Sequence, residues 1–211
     1  MDLRMLLIIS VSTIFINNFV FSRFLGLCPY IGVSKQVDSA IGMGAAVMFV
    51  MTLASAVTWF IYNYFLAPMP QNVFYKLFSL AEPPDLTFLR TIAFILVIAS
   101  LVQFVEMVVQ KSSPTLYKSL GIYLPLITTN CAILGAAILN IDERYTFIQS
   151  LVHGFSAGVG FTLALVLIAG IREKLDMADI PESMRGIPIA FVMAGLMAIA
   201  FLGFSGLKLG M

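Results

Sequence analysis

Six stretches of almost uninterrupted apolar residues run through the chain: Met5–Phe21, Ser39–Leu66, Thr91–Val109, Leu120–Leu139, Phe147–Ile171 and Ile187–Leu207. A stretch of about 20 such residues matches the hydrocarbon core of a bilayer, where no water is available and each backbone N–H and C=O must find its partner within the protein. Apolar and polar residues do not alternate as they would in barrel strands, so the stretches predict membrane-spanning helices. Composition agrees, with 60% hydrophobic and 11% charged residues, against about 25% charged in soluble domains. The formal net charge is +1 with no polybasic block, which argues against nucleic acid as a partner and against an anionic-lipid anchor, and leaves membrane lipid as the surrounding medium.

The expected class is an all-α integral membrane protein forming one membrane domain over residues 1–211. Met1-Asp2-Leu3-Arg4 leads straight into apolar sequence without a small-residue cleavage site, so the first stretch is expected to be a retained span. Connections carry loop punctuation: Pro68 and Pro70 with Glu82-Pro83-Pro84-Asp85, then Lys111-Ser112-Ser113-Pro114, then Asn140 to Arg144, then Arg172 to Arg185. The longest, Pro68–Arg90, has room for a short surface helix presenting Phe74, Tyr75, Leu77 and Phe78. Connections after spans one, three and five hold Arg23, Lys35, Lys111, Lys118, Arg172, Lys174 and Arg185, a small majority of the basic residues. By the positive-inside rule both termini then lie on the non-cytoplasmic side.

Leu27-Cys28-Pro29-Tyr30-Ile31-Gly32 and Asn130-Cys131-Ala132-Ile133-Leu134-Gly135 share the pattern C-x-x-[IL]-G, and they contain the only two cysteines, about half a chain apart. Each precedes a helix expected to open on a G-x-G, Gly42-x-Gly44 and Gly158-x-Gly160. Two halves of three spans follow, repeat one at about 1–112 and repeat two at about 113–211. An odd number of crossings per repeat turns the second copy upside down, giving two inverted three-helix repeats. Gly26, Pro29 and Gly32 break the helix around Cys28, and Pro125, Thr128, Thr129 and Asn130 break the one around Cys131. Broken half-helices near the midplane persist only where protein or a cavity satisfies their backbone, which places the candidate site between the repeats.

A single membrane cysteine is ordinarily a small buried hydrophobe. Two at equivalent positions of broken helices point instead to a shared redox centre: a pair of thiolates ligates one iron of a [2Fe–2S] cluster and leaves the rest of a four-cysteine set to a partner. That partner is a second copy of this fold, as a homodimer or as a related subunit. Zinc is the alternative metal, although a structural zinc site has little reason to sit at the bilayer midplane. Glu106, one turn from Gln103 in the third span, reads either as an ion-pathway carboxylate or as a side chain reaching the interface. His153, the only histidine, reads as a neutral packing residue. Asn17, Asn18, Thr128, Thr129 and Asn130 are expected to satisfy broken backbone or to hydrogen-bond around cluster sulfurs, with Asn130, Thr129 and Gly26 nearest the cysteines. Gly42, Gly44, Gly154, Gly158 and Gly160, with Ala45 and Ala46, read as close-packing surfaces between helices. A Walker loop, a dinucleotide fingerprint and a nucleophile elbow are absent from the sequence, so no complete catalytic site is expected in this chain alone.

Asn17-Asn18-Phe19, Ser22-Arg23-Phe24-Leu25-Gly26-Leu27-Cys28-Pro29, Gly32-Val33-Ser34-Lys35 and Leu124-Pro125-Leu126-Ile127-Thr128-Thr129-Asn130-Cys131 resemble the A-type subunits of Rnf complexes. Gln103-Phe104-Val105-Glu106-Met107-Val108-Val109, Ala194-Gly195-Leu196-Met197 and Gly203-Phe204-Ser205-Gly206-Leu207 extend the resemblance over nearly the whole chain, with the Pro68–Arg90 connection looking like an insertion. The resemblance implies a multi-pass subunit of an ion-translocating ferredoxin:NAD⁺ oxidoreductase in the bacterial inner membrane. It further implies a [2Fe–2S] cluster shared with a homologous, oppositely oriented E-type subunit, each contributing the cysteines that match Cys28 and Cys131. Electrons then pass through the flavin-bearing and iron–sulfur subunits while Na⁺ or H⁺ is moved. The related alternative is the E-type subunit of a sodium-pumping NADH:quinone reductase. Related complexes in some bacteria keep a redox-responsive regulator reduced. From a different class, a secondary transporter shares the inverted repeats and predicts solute flux without iron; a structural scaffold predicts assembly defects alone.

Overall fold

The computed structural model describes residues 3–34, 36–67, 86–112 and 124–206, and among these every regular element is helical. α1 (Leu3–Val11) continues as a π-helical stretch, Ser12–Ile16; α2 is Leu27–Val33; α3 (Val37–Ile61) continues as a π-helical stretch to Leu66. After a 3-10 turn at Thr87–Leu89 come α4 (Arg90–Ser112), α5 (Leu124–Thr128), α6 (Cys131–Asp142), α7 (Phe147–Asp176) and α8 (Ile187–Leu202), the last followed by a 3-10 turn, Gly203–Gly206. Among the described residues three helical stretches are long and apolar enough to cross a membrane, Val37–Leu66, Thr87–Val108 and Phe147–Asp176; Leu3–Ile16, Leu126–Asp142 and Ile187–Leu202 are shorter apolar helices. The suggested surface helix with Phe74, Tyr75, Leu77 and Phe78 lies outside the described residues, as do 120–123 and Leu207.

α3 and α7 form the centre. Gly44 faces Thr162, Met48 faces Gly158 and Ser55 faces Gly154, so the numbering falls along one helix as it rises along the other and the two run antiparallel. A Cβ on Gly158 would stand 2.6 Å from the Met48 Cα, closer than real Cβ atoms come, so its glycine sets how closely the two backbones approach. Lipid tails are as apolar as leucine, and helices in a membrane gain mainly from such close packing. Peripheral α4 has only 17% of its apolar window buried, against 56% for α7, and it turns Ile92, Ile95, Leu96 and Phe104 outward. α8 buries only Ala190, Ala194 and Ala198, spaced along one face.

The expected spans differ from these helices at their ends. The first helix stops at Ile16, not Phe21: Asn18, 1% exposed, takes over the freed backbone, its Nδ2 donating to Ile14 O (3.0 Å) and Gly160 O (2.9 Å) while its Oδ1 accepts from Val20 N (3.0 Å). Phe19, Val20 and Phe21 then fold into the core instead of continuing a span. The fifth expected span runs on, as α7, to Asp176, because Arg172 turns inward, Nη1 donating to Ile31 O (2.8 Å) and Ser34 Oγ (3.0 Å), while Glu173 Oε1 accepts from Val37 N (2.9 Å). The G-x-G pairs do not open helices: Gly42 and Gly44 stand in the second turn of α3, and Gly158 and Gly160 in the middle of α7. A different pairing is in phase. Val37–Leu66 and Phe147–Asp176 are each 30 residues long, and Gly44, Thr52, Leu53 and Ala54 occupy the same places from the helix start as Gly154, Thr162, Leu163 and Ala164. Both threonines bond back one turn at 2.8 Å, Thr52 Oγ1 to Met48 O and Thr162 Oγ1 to Gly158 O.

Candidate functional site

Two interruptions of the helical chain meet at the cysteines. In the first, residues 17–26 lead to α2 through Gly26, whose φ of 80° is left-handed and natural only for glycine. A side chain there is also excluded by space, since a Cβ would lie 2.5 Å from Phe161 Cε2, 3.0 Å from Asn130 Oδ1 and 3.2 Å from Ala132 Cβ. In the second, α5 ends at Thr128 and Asn130 caps α6, its Oδ1 accepting from Ala132 N at 3.0 Å. Gly32 of α2 faces Leu126 of α5, so the short helices of the two interruptions touch as well.

Cys131 is the first residue of α6 and Cys28 lies in the first turn of α2; both are free and exposed. The Gly26 N–H donates to Cys131 Sγ at 2.9 Å, binding the end of one interruption to the thiol of the other. Cys131 thus stands at the N-terminal end of the twelve-residue α6 with one backbone N–H on its sulfur. Among the described residues no group of three or more histidine, cysteine or acidic side chains gathers. Cys28 and Cys131 are two exposed sulfurs, with an N–H on one of them, and two thiolates are the donor set that one iron of a [2Fe–2S] cluster would take.

Of the residues singled out from sequence, the structure brings Gly26, Asn130 and Cys131 together, with Cys28 two positions on from Gly26. Thr129 is exposed between Thr128 and the Asn130 cap. The Asn130 Nδ2 is buried and has no hydrogen-bond partner among the described residues. Glu106 stands partly buried on peripheral α4 and forms no ion pair with a described residue. His153 packs as expected: 6% exposed, with Nδ1 2.7 Å from Asn140 Oδ1, it lies beside the rings of Tyr145 and Phe19. It also lines a cavity of about 130 Å³ shared with Arg23, Glu143, Tyr145 and Asn17. In the α6–α7 connection, burial pushes the Tyr145 phenol above its ordinary range; the Glu143 carboxylate adds to this and the Arg23 guanidinium opposes it.

Sequence reasoning places Arg172 in a connection and misses its role. The residue is 9% exposed and holds the carboxyl end of α2, the short helix that carries Cys28 in its first turn. A cation at a helix C-terminus satisfies orphan carbonyls and complements the dipole. The available signal was the lack of any helix-breaking residue between Ile171 and Asp176.

The sequence matches the family described as "Rnf-Nqr subunit, membrane protein" over residues 6–208. It is 56% identical over 205 residues to the A-type subunit of the Na(+)-translocating ferredoxin:NAD(+) oxidoreductase complex of Acetobacterium woodii, covering 97% of this chain and 99% of the relative. The A-type subunit of the ion-translocating oxidoreductase complex of Syntrophotalea carbinolica is 54% identical over 99% of this chain and 100% of its own length. Its counterpart from Aeromonas salmonicida is 55% identical over 95% and 96% respectively.

Proposed function

We propose, from the premise that the chain belongs to the Rnf-Nqr family of membrane subunits, that it is the electron-carrying membrane subunit of an ion-translocating ferredoxin:NAD⁺ oxidoreductase, holding half of an intramembrane [2Fe–2S] cluster. The observation that carries the reading is the meeting of two helix interruptions at two exposed free cysteines, with the Gly26 N–H on Cys131 Sγ. Cys28 and Cys131 would ligate one iron, and a homologous, oppositely oriented subunit would ligate the other. When bound, the cluster supplies a one-electron carrier partway across the bilayer. The protein's part is to place and tune it: the Gly26 N–H donates to the Cys131 sulfur, Asn130 fixes the start of α6 by accepting from Ala132 N, and Arg172 fixes α2.

An inverted repeat of six crossings in the bacterial inner membrane belongs to the same reading. Its support is the pair of 30-residue helices, antiparallel and matched at Gly44 and Gly154, Thr52 and Thr162, each following a cysteine-bearing interruption. Three long and three shorter apolar helices fit six crossings if the short ones complete their span through the interruptions. Electron flow through the complex is coupled to Na⁺ or H⁺ movement, and flavin-bearing and iron–sulfur subunits are the further partners. The test is iron content and low-temperature electron paramagnetic resonance of the dithionite-reduced complex, native against Cys28→Ser and Cys131→Ser. Loss of a [2Fe–2S] signal in both variants is expected; an undiminished signal in either refutes the assignment.

A further inference from the structure

Phe24 has a φ of 54°, one of two non-glycine residues with positive φ among those described. Left-handed backbone is rare for any L residue and rarest for a bulky one, and an isolated instance is held in place by its surroundings. Here the surroundings are visible: Phe19, Val20 and Phe21 are buried in the same interruption, Leu25 N donates to Phe19 O at 2.9 Å, and Leu25 packs on Gly135. Ser22 and Arg23 before it are exposed and Leu25 after it is half-buried; Phe24 is 52% exposed, the one exposed apolar side chain between Asn18 and Gly26. Two residues further on, Gly26 binds the sulfur of Cys131, and Cys28 follows, itself exposed.

We propose that Phe24 is the apolar anchor on which the partner subunit closes over the two cysteines, an inference that rests on reading Cys28 and Cys131 as half of a shared site. The exposed sulfurs require a partner bearing two more thiolates, and that partner must cover the surface around them. Lipid would accept glycine at this position equally well and without strain, so an aromatic held there against its backbone preference is explained by a protein surface that receives it. A buried aromatic surrounded by water-excluding contacts is what anchors protein interfaces. It also supplies the apolar shell that keeps solvent from a metal centre.

The test uses the detergent-purified complex carrying Phe24→Gly, Phe24→Asn or Phe24→Tyr. Glycine and asparagine suit a left-handed backbone, so the full chain is expected to melt at or above the native temperature in both. The homologous partner is expected to wash off these variants with an apparent affinity at least about tenfold weaker, with Phe24→Tyr retaining it. Native partner retention in the Phe24→Gly complex overturns the proposal and assigns the side chain to lipid. A lowered melting temperature of the Phe24→Gly chain also overturns it, by making the residue a structural one. Retention is read without reference to iron: an iron-free native complex would refute the shared cluster and leave the anchor to stand or fall on the partner alone.

Discussion

Replacing Gly26 with alanine perturbs the site at the point where its two halves join. The left-handed backbone at φ 80° penalises any Cβ by about 1–2 kcal/mol. That Cβ would also sit 2.5 Å from Phe161 Cε2 and 3.0 Å from Asn130 Oδ1, and forcing one methyl into a packed site adds about 1–3 kcal/mol. The two effects together give about 2–5 kcal/mol of destabilisation, with the Gly26 N–H displaced from Cys131 Sγ. Gly170→Ala is the control, because it lies inside α7 with nothing among the described residues within 4 Å of its added methyl and should stabilise by about 1 kcal/mol through helix propensity. Denaturant-dependent unfolding followed by circular dichroism in one detergent compares the pair. Opposite shifts are expected. A Gly26→Ala protein within about 0.5 kcal/mol of native, the range of neutral surface substitutions, refutes the reasoning.

Three further substitutions test the elements that support the cysteines. Arg172→Met removes both donors from Ile31 O and Ser34 and should lose about 2–3 kcal/mol, with Arg172→Lys recovering part; protease sensitivity of the 27–36 segment reads the release of α2. Asn18→Leu keeps the branched shape, in a bulkier side chain, but strips the partners from Ile14 O, Gly160 O and Val20 N, and should lower stability by about 3 kcal/mol or more in the same unfolding assay. Gly158→Ala pushes α7 off the Met48 backbone, and a loss of about 1–3 kcal/mol is expected by thermal melting, against no measurable change for Gly203→Ala, which has no described residue within 4 Å of an added methyl.

The apolar stretches located the helices because twenty consecutive apolar residues have few alternatives. Their ends were harder, for physical reasons visible at single residues. Phe19, Val20 and Phe21 are equally apolar whether they face lipid in a helix or lie in the core beside a turn, and only Asn18 in its tertiary setting decides between them. Arg172 and Glu173 read as a loop by charge, yet each has a backbone partner in the α2–α3 region that lets α7 continue. The glycines are recognisable as packing surfaces, but their spacing alone does not distinguish the middle of α7 from its start; contact with Met48 does. Within the candidate site, Gly26, Asn130 and Cys131 were legible as members of two interrupted segments, because glycine and asparagine beside each cysteine mark a break in apolar sequence. The Gly26 to Cys131 bond was not, since it joins residues from opposite halves of the chain.

Iron K-edge X-ray absorption on the intact complex tests the central claim most directly. A cluster held by Cys28, Cys131 and two partner cysteines gives every iron an all-sulfur first shell. Serine at Cys28 or at Cys131 should then either replace one sulfur by oxygen or lower the iron content of the complex by this one cluster, with the same result for both positions. A native iron shell containing oxygen or nitrogen ligands, or a shell unchanged by both substitutions, would contradict the account.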